Sequence, residues 1–228
     1  MAPRRGCGYP MNVDLVLDSE EVRVLGSLIE KEIATPEYYP MTLNALVNAC
    51  NQRSSREPVV DYDEATVERA LESLRAKKLA AVVTGAGLRV PKHRELFSEA
   101  LNLGRREVAI LCVLMLRGHQ TAGELRDRAG RLYAFSDIEE VDACLQRLID
   151  RDPPLVARLP RRPGTKEPRY AHLLSGAAET AEPGAAETSA PPQRPTDRIA
   201  TLEEEIARLR GDLDALRREF AEFRSQFG

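Results

Sequence analysis

The sequence has 228 residues, with 33 Lys and Arg against 36 Asp and Glu for a formal net charge of −3, 43% hydrophobic residues, 5% aromatics and no Trp. The apolar fraction is that of a globular chain, which excludes wholesale disorder. No apolar run approaches the ~20 residues of a membrane-spanning helix, and near-neutrality excludes a uniformly basic nucleic-acid coat while leaving local patches open.

Residues 1–16 carry Arg4 and Arg5 but no apolar stretch behind them. They read as a disordered tail, not a secretory signal. The expected location is the cytoplasm. The cysteines, Cys7, Cys50, Cys112 and Cys144, form no CxxC pair, and His93, His119 and His172 stand singly. A zinc site needs closely spaced ligand pairs, so neither metal nor cofactor is expected, and the thiols read as small buried hydrophobes.

An internal repeat follows. Glu21, Val22, Val24, Leu25 and Leu28 match Glu107, Val108, Ile110, Leu111 and Leu114. Thr42 and Leu46 match Thr121 and Leu125, while Val67, Leu71 and Leu74 match Val141, Leu145 and Leu148. The offsets shrink from 86 to 79 to 74, because the first copy has longer loops. Each copy reads as three helices and two short strands. In the first copy, Asp18 with Glu21 forms a capping box, Thr42 caps the second helix, and Asp61 with Glu64 opens the third. Residues 80–84 and 88–90 then form a hairpin about Gly85, Ala86 and Gly87. A helix over residues 93–103 joins the copies. In the second copy, a helix follows Gly104, Thr121 with Glu124 opens the next, and Ser136 with Glu139 opens the third. The strands span residues 155–159 and 169–174. Three helices and a hairpin make a winged helix, in which the third helix usually enters a groove.

Residues 175–197 repeat GAAET, are rich in Ala, Pro, Glu and Thr, and hold no large apolar side chain, the composition of a flexible linker. Beyond it Ile199, Leu202, Ile206, Leu209, Leu213, Leu216, Phe220, Phe223 and Phe227 alternate spacings of three and four, the seam of a coiled coil. In a parallel pair the flanking charges Arg198–Glu203, Glu205–Arg210, Asp212–Arg217 and Glu219–Arg224 are all opposite in sign. We therefore expect a parallel homodimer, with docking of the helix on its own chain as the alternative. The predicted fold is mainly α with small β-wings. Residues 1–16 are a tail, 17–98 and 99–175 tandem winged-helix domains, 176–196 a linker and 197–228 a coiled coil.

Several stretches are distinctive: residues 28–31 (LIEK), 35–40 (TPEYYP), 49–59 (ACNQRSSREPV), 116–126 (LRGHQTAGELR), and Arg169, Tyr170, His172 and Leu173. Over about residues 15–176 they resemble the YceH-like family of bacterial tandem winged-helix proteins, whose biochemical function is unassigned. The resemblance implies the fold and brings no catalytic residue.

No phosphate-binding loop, dinucleotide fingerprint or nucleophile elbow is present, so no enzyme is expected. Nucleic-acid binding requires a local basic surface. The third helices are poor candidates. Residues 63–78 balance four acids with four bases, and residues 136–152 carry six acids against Arg147 and Arg151. Residues 153–175 instead hold Arg158, Arg161, Arg162, Lys166 and Arg169 against Glu167 alone, a net of +4. Arg89, Lys92, His93 and Arg94 follow the first hairpin. The loop of residues 51–58 supplies Asn51, Gln52, Arg53, Ser54, Ser55 and Arg56, a donor-rich set suited to phosphate or a partner's carboxylates. An alternative is that these groups cap the second helix and hold the loop in place. The expected partners are duplex DNA, a second copy of the chain, or another protein bound by the acidic third helices, and no membrane.

Overall fold

The computed structural model describes residues 16–85, 89–161 and 167–176, all within one compact unit, residues 1–181. The heptads with Ile199, Leu202, Ile206, Leu209, Leu213, Leu216, Phe220 and Phe223, the linker, Arg162 and Lys166 lie outside the described residues.

The described chain is mainly helical with two small antiparallel hairpins. Helix α1 (Ser19–Ala34), a 3₁₀ turn (Pro36–Tyr38), α2 (Leu43–Cys50) and α3 (Glu64–Ala76) lead into β1 (Ala80–Val83) and β2 (Lys92–Glu95). A short α4 (Phe97–Ala100) precedes α5 (Arg105–Arg117), α6 (Ala122–Ala129) and α7 (Ile138–Ile149), then β3 (Val156–Arg158) and β4 (Tyr170–His172). The order of three helices and a hairpin thus occurs twice, as in a winged-helix-like fold.

Local chemistry sets most helix starts. Asp18 accepts from Glu21 N while Glu21 accepts from Asp18 N, both at 2.8 Å. Thr121 and Glu124 repeat that box, and Thr42 accepts from Ala45 N. Each bond satisfies a donor that the first helical turn leaves open. Two caps differ from expectation. Asp63, not Asp61, caps α3 through Thr66 N, and Asp137, not Ser136, caps α7 through Glu140 N. In both cases the carboxylate directly preceding the first helical residue takes the cap.

The first hairpin also differs. Its second strand is Lys92–Glu95, not residues 88–90, with Ala80 opposite Glu95 and Val83 opposite Lys92. The sequence KHRE has little strand propensity, but His93 also bridges Met41. Pairing on both sides outweighs propensity here. The second copy repeats the device, with Tyr170 opposite Arg158 on one side and Gln120 on the other. The expected joining helix over residues 93–103 shrinks to α4, because Glu95 belongs to the strand and its carboxylate accepts from Ser98 N and Ser98 Oγ.

The two copies share one core. In α1 every residue from Glu21 to Glu30 is buried, and in α5 every residue from Val108 to Leu116. A helix apolar on one face only would leave a polar face in water; these two are covered all round. They pack on each other, and the buried side chains of both copies form one continuous cluster. Gly26 marks the closest approach: a Cβ there would lie 2.9 Å from Leu116 Cδ2 and 3.2 Å from Met115 Cβ. Leu17, ahead of α1, and Leu174, beyond β4, also meet, since Leu17 N donates to Leu174 O at 2.7 Å.

Candidate nucleic-acid interface and the adjoining loop

The hairpin cations expected to meet phosphate are at the surface where described. Arg158, at the end of β3, and Arg161 are exposed; Arg169 is half-buried and engaged with neighbouring groups. On the first hairpin Arg89 is exposed, Lys92 is half-buried, and Arg94 lies 3.6 Å from the mostly exposed Glu99. An exposed pair of this kind contributes little and leaves Arg94 free to exchange partners. His93 is different. Its pairing with Met41 and Val82 holds it in the sheet, and burial followed by the charge of Arg75 pushes its imidazole below the usual range. It is a neutral strand residue at neutral pH.

The loop of residues 51–58 splits into two groups. Asn51 is the C-cap of α2, and both polar atoms of its amide are bonded. Nδ2 donates to Tyr62 O and Oδ1 accepts from Tyr62 N, each at 2.8 Å. Arg56 is 6% exposed. Its guanidinium forks onto Glu30, Nη2 to Oε2 at 2.7 Å and Nη1 to Oε1 at 3.2 Å, and also donates to Ala49 O and Ser55 O. Burial alone would raise the Glu30 carboxyl, but the bonds and charge of Arg56 hold it below the usual range. Asn51 and Arg56 therefore anchor the loop, as the alternative reading of the sequence had it. The reason is physical: α2 ends with open carbonyls at Ala49 and Cys50, and buried carbonyls must be paired. Arg23, unmarked in the sequence because it lies within an apolar helix pattern, completes the job. It donates to Cys50 O at 3.5 Å and Pro58 O at 2.5 Å.

The remaining loop residues face outward. Arg53 and Ser54 are exposed, and Gln52 and Ser55 half-buried. Gln52, Ser54 and Ser55 form one wall of a cleft of about 420 Å³ whose other walls are the end of α1, the end of α5, and α6 with the turn after it. Lys31, Arg117, Arg128 and Arg131 line it. Sequence reasoning missed these four, because they are scattered over a hundred residues and two repeats. The signal lay in the loop: two of the distinctive stretches, residues 49–59 and 116–126, meet at this cleft, and Glu57 N donates to Leu116 O at 2.8 Å.

No reactive thiol is present among the described residues. Cys50, Cys112 and Cys144 are buried and free, and burial raises all three, Cys50 and Cys144 to about 11. Thiols in that range stay protonated and inert.

Two hairpins with surface cations, each following three helices on one shared core, are consistent with a winged-helix-like α-rich protein, and no cluster that could hold a metal ion is present among the described residues. The model of the family described as protein of unknown function DUF480 matches residues 17–165. A UPF0502 protein of Solibacter usitatus is 54% identical over 91% of this chain and all of its own length. Another, from Geobacter sulfurreducens, is 50% identical over 94% of this chain and all of its own. The chain belongs to this DUF480/UPF0502 family, consistent with the resemblance carried by the distinctive stretches. No helix among the described residues is long and apolar enough to cross a membrane.

Proposed function

We propose that this protein is a non-enzymatic, DNA-associated tandem winged-helix protein that meets the duplex through backbone phosphates. The observation that carries the reading is the placement of cations on both hairpins, Arg158 and Arg161 on one, Arg89, Lys92 and Arg94 on the other, with Arg53 exposed on the separate loop after α2. The helices corresponding to recognition helices do not share this charge. On α3 the exposed Glu64, Glu68 and Glu72 outnumber Arg69 and Arg75, and on α7 Glu139 and Asp142 are exposed with Arg147. Contacts from hairpins to phosphate position a protein without reading sequence, and their affinity falls steeply with salt.

The test is a titration against duplex DNA between about 50 and 200 mM salt. The reading predicts binding whose salt dependence flattens by about one unit of log–log slope for each phosphate contact removed, as Arg158, Arg161, Lys92 and Arg94 are changed to Gln. Absence of binding at the lowest salt rejects it. The acidic exposed face of α7 supports a second reading, a protein-interaction adaptor, for which Asp142→Lys would abolish partner capture and leave DNA binding unchanged.

Assembly belongs to the same proposal. The heptads would pair two copies in parallel, doubling the number of heads that reach one duplex and raising affinity by effective concentration. Sedimentation of the full chain should give a dimer, and of a chain ending at residue 176 a monomer. A persistent dimer of the shortened chain rejects the heptad assignment.

A further inference from the structure

The cleft beside the loop holds an imbalance that the hairpins do not explain. Arg117 Nη2 donates to Ser55 Oγ at 2.8 Å, and Arg131 Nη2 donates to the same oxygen at 3.0 Å. Two guanidiniums therefore converge on one neutral hydroxyl. Lys31 lines the same cleft, 3.7 Å from Glu30. Glu30, the carboxylate lining the cleft, is already forked by Arg56. Arg128, on the opposite wall, is paired with Glu124 at 3.2 Å and bonded to Gln120. Of the charged residues that line the cleft, Lys31, Arg117, Arg128 and Arg131 meet Glu30 alone, so positive charge predominates at Ser55. Desolvation, then Arg128 and Arg131, push the Arg117 guanidinium down from its usual value, the mark of cations held together; an arginine nevertheless stays charged.

Cations in a last helical turn are common, since they answer the negative end of the helix dipole. That accounts for Lys31 on α1 and Arg117 on α5. It does not account for Arg131, which follows α6, or for the posture of Ser55. Ser55 has φ +61°, in the left-handed region that a serine rarely adopts. Strain of this kind persists where surrounding structure enforces it, and here Arg56 fastens the next residue and Glu57 N the one after. The loop is clamped so that a hydroxyl stands between two guanidiniums. Below them Val113, Leu116 and Leu132 give the cleft an apolar floor.

We propose that this cleft is a binding site for a phosphorylated small molecule, whose dianionic phosphoryl group sits between Arg117 and Arg131 against Ser55 and whose body lies over the apolar floor. Guanidiniums give planar, forked bonds to phosphate oxygens, Lys31 adds a point charge, and Gln52 and Ser54 supply further polar groups on the loop wall. A volume of about 420 Å³ suits a ligand of nucleotide size. The site is distinct from the hairpins and rests on neither their cations nor on DNA binding.

The test is calorimetric titration of the full chain with inorganic phosphate, pyrophosphate and a nucleoside 5′-monophosphate. Saturable one-to-one binding is expected for at least one of them, weakened at least tenfold by Arg131→Gln and by Arg117→Gln, a loss on the scale of one charge-assisted bond. Arg131 is exposed, so its substitution leaves the fold intact, and a ligand-induced rise in melting temperature present in the parent and lost in Arg131→Gln gives a second readout. Arg158→Gln with Arg161→Gln should leave this binding unchanged while weakening DNA binding. Absence of saturable binding by all three probes overturns the proposal. So does unchanged affinity in both cleft variants, or displacement of the bound probe by blunt duplex DNA with loss of DNA binding in Arg131→Gln, which would make the cleft part of the DNA interface.

Discussion

Arg56 looks in sequence like a surface cation in a polar loop, yet it is the most deeply engaged residue of that loop. Removing it strands Glu30, itself 8% exposed, and leaves Ala49 O without its donors. Arg56→Leu should therefore lower stability by about 3–5 kcal/mol, the cost of breaking a buried pair from one side. Arg56→Leu combined with Glu30→Leu should recover much of the loss, and denaturant midpoints of the three variants check this. A second carboxylate behaves in the opposite sense. Glu32 remains exposed, but partial desolvation, then hydrogen bonding to the Glu95 carboxyl beside it, raises it to about 7. Its folded value lies above its unfolded one, so its contribution is complete below pH ~4.5 and is lost as pH rises through ~7. Glu32→Gln should be neutral at pH 5 and stabilising at pH 8 in the same midpoint assay. His172 has the reverse slope: burial, then the charge of His119, depresses it to about 4. The protein should lose stability as pH falls from ~6.5 to ~4, and His172→Phe should reduce that slope.

At the scale of elements, periodicity and caps carried the reading of the helices. Asp18, Thr42 and Thr121 are short polar residues directly before apolar stripes, and each caps where it was placed. Strands were harder. The residues KHRE form β2 because Met41 and β1 flank it on both sides, a condition set by chain segments fifty and ten residues away. Arg56 and Asn51 stayed open between phosphate contact and loop anchor for a related reason, since a loop's donors are assigned only when the nearby open carbonyls are known. Gly26 was equally silent. A glycine in a helix costs ~1 kcal/mol of propensity, and only the packed α5 shows why it is kept. Gly26→Val should lower stability by about 1–3 kcal/mol through overpacking against Leu116 and Met115, read as a fall in melting temperature; Gly118, with φ +67° and ψ −149°, holds a conformation essentially confined to glycine, so Asn and Val should both destabilise there despite the open space around it.

For the whole molecule, the repeat was legible but its consequence was not. Matching patterns such as Val24, Leu25 and Leu28 against Ile110, Leu111 and Leu114 announce two copies; they cannot announce that the first helix of each is the core of the other. Residues 17–98 expressed alone would expose the face of α1 that α5 covers. That fragment should show no cooperative thermal transition, whereas residues 16–176 should melt as one unit. A stable, cooperative fragment would show that the copies are independent domains.

The α1–α5 contact also sets a timetable. Gly26 leaves the ribosome some ninety residues ahead of Leu116, a delay on the order of 10 s at ordinary rates of synthesis. During that interval the face of α1 that α5 covers, around Gly26, has no permanent neighbour. The first half of the nascent chain must therefore be sheltered, by transient local packing or by a chaperone, until the second half arrives. Slowing translation between the two copies should cost yield of soluble protein, and slowing it after residue 117 should cost little.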